Sequence, residues 1–169
     1  TLQKERSGGN TVKRTVEAGK TLLVDGPASI TVLSGGVEIL GGQFRIGSRM
    51  VIREGKRIPL EVKGKAEFDL QLGEKATVNE VEAGTIPRSW ENAANTVLGQ
   101  KNEHTTVMIM GGVDSGKTSF CAYLANKALR EKRRVAIIDA DLGQSDVGPP
   151  STIGSCRIIK PLSLIHISE

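Results

Sequence analysis

The residues of this chain best suited to chemistry lie in two stretches one helix apart, "GGVDSGKT" from Gly111 to Thr118 and "DADLGQ" from Asp139 to Gln144. The first fits GxxxxGK[ST] at every fixed position, with Gly111, Gly116, Lys117 and Thr118 in register, an apolar run before it and an amphipathic segment after it. Glycines let successive backbone amides turn towards phosphate oxygens, and the helix that follows adds the positive end of its dipole. The cradle is expected to comprise Gly111, Gly112, Val113, Asp114, Ser115, Gly116, Lys117, Thr118 and Ser119. Within it Lys117 would neutralise the β and γ phosphates of a nucleoside triphosphate such as ATP, and the Thr118 hydroxyl would ligate magnesium.

Asp139 and Asp141 close an apolar strand that should return beside the cradle, where open α/β sheets bind ligands. Two residues apart on a strand, both can share one face and reach the magnesium or the water around it. Paired acids beside a triphosphate would repel it unless a cation intervened. The bland alternative is that one of them caps the next turn. Phosphoryl transfer needs the attacking oxygen aligned and relieved of its proton, so Asp141 is the candidate base. Gly143 permits close approach, and Gln144 offers an amide able to hold the phosphate or hydroxyl of an acceptor. A Gln that positions water in an NTPase would look the same.

These residues need a strand, a helix and a second strand to hold them. "TVMIM" (106–110) and "RVAIIDAD" (134–141) read as strands buried on both faces of a parallel sheet. Between them Cys121, Leu124, Ala125, Ala128 and Leu129 mark one apolar helix face, which makes Cys121 a core residue rather than a nucleophile. "REKRR" (130–134) reads as a solvated helix end whose cations complement the dipole. Upstream, Pro87, Ser89 and Gly99 punctuate a connecting helix, with Ser89 as a candidate cap and Trp90 expected as a packing anchor between domains rather than a base contact. Residues 1–100 hold 14 of the 20 glycines, and alternating runs such as Ile30/Val32, Val37/Ile39 and Phe68/Leu70/Leu72 separate them. That pattern predicts a small all-β sandwich with an aliphatic core, since aromatics make up only 3% of the chain.

The balance of Lys+Arg over Asp+Glu is 14 to 12 in the first hundred residues and 9 to 7 afterwards, so no basic tail advertises nucleic acid. Cys121 and Cys156 have no metal-ligand spacing, and a reducing, cytoplasmic compartment is expected. No apolar run approaches a membrane span, and the chain reads as soluble. "LSLIHISE", 162–169, resembles the translation of a sequencing adaptor and is set aside from fold reasoning, so the kinase half is expected to be truncated. The expected organisation is a β-sandwich over 1–85, a connecting helix over 86–100 and the start of an α/β P-loop NTPase domain with a parallel sheet over 101–161.

The cradle, the DxDxGQ pattern carried by Asp139, Asp141, Gly143 and Gln144, and the entry "GTIPRSW" together resemble the archaeal branch of the polynucleotide 5′-hydroxyl kinase family. Its eukaryotic relatives are RNA-processing factors. The resemblance covers about residues 10–160 and implies an ATP- and Mg²⁺-dependent kinase acting on 5′-hydroxyl ends of RNA, or of DNA. It assigns Lys117 and Thr118 to ATP and magnesium, Asp141 to the acceptor hydroxyl, and implies that the sandwich helps enclose the adenine. It also implies a lid with arginines and a C-terminal domain beyond these residues. Two other classes stay open: a P-loop switch ATPase or GTPase, and an ATP-binding structural subunit of an RNA-processing complex.

Overall fold

Alternation of apolar and polar residues produces most of the strands, and their order follows from which faces they bury. The computed structural model describes residues 10–100, 104–112, 115–140 and 151–163. Among these the protein is mostly β-sheet with two helices. Its elements are β1 (Asn10–Val16), β2 (Thr21–Asp25), β3 (Ala28–Ser34), β4 (Val37–Ile39), β5 (Gly42–Phe44), β6 (Arg49–Ile52), β7 (Arg57–Val62), β8 (Ala66–Leu72), β9 (Thr77–Val81), α1 (Arg88–Leu98), α2 (Lys117–Arg130), β10 (Val135–Asp139) and β11 (Gly154–Ile158). The chain divides into two compact units, Thr1–Val37 with Arg45–Ala83, and Glu38–Phe44 with Gly84–Glu169. Neither helix is long and apolar enough to cross a membrane.

In the first unit one sheet runs β1-β8-β3-β6, all neighbours antiparallel. In a second, β2 pairs antiparallel with β7 on one side and β9 on the other. Each strand sends alternate residues inward: Leu22 and Val24, Ile30 and Val32, Ile58 and Leu60, Phe68 and Leu70 are all essentially without solvent exposure. Each such side chain contributes roughly 1.5–3 kcal/mol relative to exposure, so an aliphatic core with Phe68 as its one large aromatic suffices. Two strands escape the alternation. β1 and β9 are edge strands, and Lys13, Arg14, Asn79 and Glu80 make them polar, as edges exposed to water usually are.

In the second unit α1 begins after Pro87, whose φ of −64° suits the entry to a helix. Pro87, not Ser89, is the N-cap, and no side chain caps that end. Gly99 stops the helix with ordinary right-handed φ, its amide donating to the Asn95 carbonyl at 2.8 Å. Helix α2 buries more than the expected stripe: Ala122, Tyr123, Leu124, Ala125, Asn126 and Ala128 are all buried, while Cys121 and Leu129 are only half-buried. The reason is that α2 packs against α1, β10 and β5 at once.

The expected parallel pair does not form among the described residues. Residues 106–110 carry no strand, and Met108 and Met110 are about four-fifths exposed. β10 pairs instead with β11, antiparallel, from Val135 opposite Ile158 to Asp139 opposite Gly154. With a described neighbour on one side only, β10 behaves as a one-faced strand. Ile137 is buried and Ile138 is 72% exposed.

Candidate phosphate-binding site

The cradle's shape comes from glycine geometry at its end. Gly116 has φ +83° and ψ 16°, a left-handed conformation that L side chains rarely adopt, and it is the N-cap of α2. Its carbonyl accepts the first intrahelical bond, from the Phe120 amide at 2.9 Å. Among the described residues no side chain caps this helix start and no acidic residue stands in its first turn, which leaves the first-turn amides available to an anion. Ser115 Oγ and Lys117 Nζ both donate to the Gly112 carbonyl, at 2.9 and 2.6 Å, which gathers the two ends of the loop. An ammonium carries three protons, so Lys117 keeps donors for phosphate oxygens while holding that carbonyl. A Cβ on Gly111 would come within 2.6 Å of Ser115 Oγ, so that position too is confined to glycine while Ser115 stays put.

Of the expected site residues, Gly111, Gly112, Ser115, Gly116 and Lys117 are thus brought together, and Thr118 and Ser119 occupy the first turn of α2. Val113, Asp114, Asp141 and Gln144 lie outside the described residues, as does Gly143. Asp139 ends β10 on the same face as the buried Ile137. Its charge reaches α2: burial first, then the Asp139 carboxylate and Cys156, push the Cys121 thiol above its ordinary pKa. The Cys156 thiol is raised as well, again first by burial and also by Asp139. Neither cysteine has the electropositive setting of a nucleophile. Thr118 stands three residues before Cys121, on the same face of α2. A hydroxyl and a carboxylate are hard oxygen donors that suit magnesium. Among the described residues no three or more His, Cys, Asp or Glu gather to hold a metal.

Two supports of α2 lie outside the cradle, Trp90, expected to pack, and a second that had no signal in the sequence. Trp90 packs on α2 of its own unit, edge-on to Phe120 with centroids 5.3 Å apart and tilted 6.0 Å from Tyr123. The other support is residues 38–44. Asn126, buried, donates through Nδ2 to the carbonyls of Leu40 and Leu162, both at 2.9 Å, and accepts the Leu162 amide on Oδ1 at 2.7 Å. A Cβ on Gly42 would lie 2.8 Å from that Nδ2, so glycine lets the turn close on the amide. Arg130 reaches Glu38 at 3.3 Å and Arg133 donates to the Leu98 carbonyl, so the basic run is partly structural rather than simply solvated.

Residues 111–168 match the family model described as the mRNA cleavage and polyadenylation factor CLP1 P-loop. Over 68 residues, 40% of this chain, the sequence is 54% identical to a polyribonucleotide 5′-hydroxyl-kinase of Pyrococcus horikoshii and 41% identical to one of Pyrococcus furiosus, covering 19% of each. Over 154 residues, 85% of this chain, it is 26% identical to a CLP1 homologue of Brugia malayi and covers 36% of it. The structure is similar to that of Clp1p in a wild-type Clp1p–Pcf11p complex, with TM-score 0.73 and 20% identity, covering 93% of this chain and 38% of that one. A second Clp1p structure, from work on the Pcf11p interface and on ATP loss in a point mutant, gives TM-score 0.72 over 93% of this chain. The chain therefore spans between about a fifth and two-fifths of the length of these proteins. The resemblance read from the cradle and the DxDxGQ stretch is borne out.

Proposed function

We propose that the protein carrying these residues is an ATP-dependent polynucleotide 5′-hydroxyl kinase of RNA processing, acting on the 5′-hydroxyl ends of RNA, with DNA as the alternative acceptor. The observation that carries this reading is the uncapped, glycine-opened start of α2, with Ser115 and Lys117 converging on Gly112, in a segment that matches the CLP1 P-loop model. The archaeal relatives, named polyribonucleotide 5′-hydroxyl-kinases, supply the reaction class. The likeness to Clp1p supports a β-sandwich over 1–85, a connecting helix over 86–100 and the start of an α/β P-loop domain over 101–161.

In this reading Gly111 to Gly116 wrap the phosphate chain with backbone amides, and Lys117 balances charge on the β and γ groups. Thr118, Asp139 and Asp141 would hold a magnesium ion, which would offset phosphate charge. Asp141 takes the proton of the 5′-hydroxyl as that oxygen attacks the γ phosphorus. The bond from the γ phosphorus to the β,γ-bridging oxygen breaks, and ADP leaves with that oxygen. Gln144 holds the acceptor in line.

Incubation with γ-labelled ATP should label 5′-hydroxyl oligonucleotides and leave 5′-phosphorylated ones unlabelled. Asp141→Asn should keep nucleotide binding and lower turnover by about 10²-fold or more, the scale of a general base. Phosphate release at the same rate with and without an acceptor would point instead to a switch NTPase, and undiminished turnover in Asp141→Asn would remove it as base.

A further inference from the structure

We propose that Trp90 is a positioning residue for the phosphate loop, its indole acting as the wedge that fixes Gly116 and the first turn of α2. The proposal rests on the phosphate-binding reading above. A Cβ placed on Gly116 would lie 3.4 Å from Trp90 Cζ2 and 3.9 Å from Cη2, so the outer edge of the six-membered ring faces that glycine and leaves room for no more than about a methyl group between them. Gly116 is the left-handed residue on which the loop turns into the helix, and no side-chain hydrogen bond caps it. Packing must therefore limit how far it can move. The ring is held to α2 itself, where Phe120 meets it edge-on at 63° and Tyr123 lies tilted at 42° to it. Trp90 itself sits in the first turn of α1, a rigid mount. Backbone amides bind phosphate well only when several point at it together, and displacements of about 1 Å at such sites cost about 10²-fold in rate. Holding Gly116 from behind is thus a way to keep the cradle formed.

Phenylalanine at this position would keep much of the packing on Phe120 and Tyr123 but lack the reach to Gly116, which separates the wedge from mere helix packing. In the 169-residue chain, Trp90→Phe should weaken MgATP binding measured by calorimetry by about tenfold, with little change in the melting temperature without nucleotide. The Gly116 amide resonance should move in the same variant. MgATP binding equal to that of the unchanged chain would overturn the proposal, as would a loss of affinity accounted for by unfolding. If the unchanged chain binds no MgATP, the phosphate-binding reading falls; the wedge is then judged on the Gly116 resonance alone, and an unmoved resonance overturns it.

Discussion

Asp25, on the outer face of β2, accepts two hydrogen bonds from Arg57 of β7, at 2.7 and 2.9 Å, and a third from the Thr77 hydroxyl of β9. One carboxylate thereby ties three neighbouring strands, and the Arg57 and Thr77 hydrogen bonds hold its pKa below the ordinary value. A depressed carboxylate adds stability above the unfolded pKa of about 3.9 and loses it as pH falls through the folded value. Asp25→Asn should therefore melt below the unchanged chain at pH 7, with the gap closing below about pH 4; melting curves across pH test this, and a constant gap down to pH 2 would refute it. At this scale the sequence is legible where residue type alone dictates geometry. Gly116 with Lys117 and Thr118 announced the cradle because few other residues can turn a strand into a helix around an anion. Trp90 and Asn126 gave no such signal, since their roles depend on partners 26 and 86 residues away.

Helix α2 gathers more of its environment than its apolar stripe suggested, because polar residues bury with it. Asn126 satisfies backbone groups of two separate segments, and these groups belong to any residue placed there, so the clamp is indifferent to the side chains at 40 and 162. Asn126→Ala leaves buried carbonyls and an amide without partners and should cost about 1–3 kcal/mol in urea unfolding. Asn126→Asp removes both donors and sets a carboxylate against two carbonyls, so it should cost more. If the alanine variant unfolds at the original urea concentration, the clamp contributes nothing. Strands β3, β4 and β8 were legible from period-two alternation, whereas β1 and β9 were not, because at these two edges polar residues replace the apolar alternation. The opposite error arises at 106–110, where apolar composition alone suggested a buried strand. Hydrogen-bonding neighbours, which composition does not specify, decide that matter.

At the scale of the whole molecule, the sequence shows a change of character between residues 85 and 101 but gives no sign that Glu38–Phe44 belong with the later unit. A break in composition marks where the chain changes neighbours, and seven residues are too few to produce one. The assignment predicts that a polypeptide ending at residue 85 keeps its sheets but loses order locally. Amide exchange should show β2 and β7 protected in both the short and the 169-residue forms. Residues 38–44 should be protected in the longer form alone, and equal protection of that segment in both would refute the assignment.

That arrangement also sets an order of events during synthesis. Leu40 leaves the ribosome 86 residues before Asn126, the side chain that will bind its carbonyl. Nascent chains fold from the N-terminus, and contacts between residues far apart in sequence form slowly. The turn at 40–42 must therefore wait, with its carbonyls on water, while the strands on either side of it have already paired. The helix that opens the phosphate cradle settles only when this early segment is still free to receive it, so a turn made early in synthesis waits for one of the later helices to complete it.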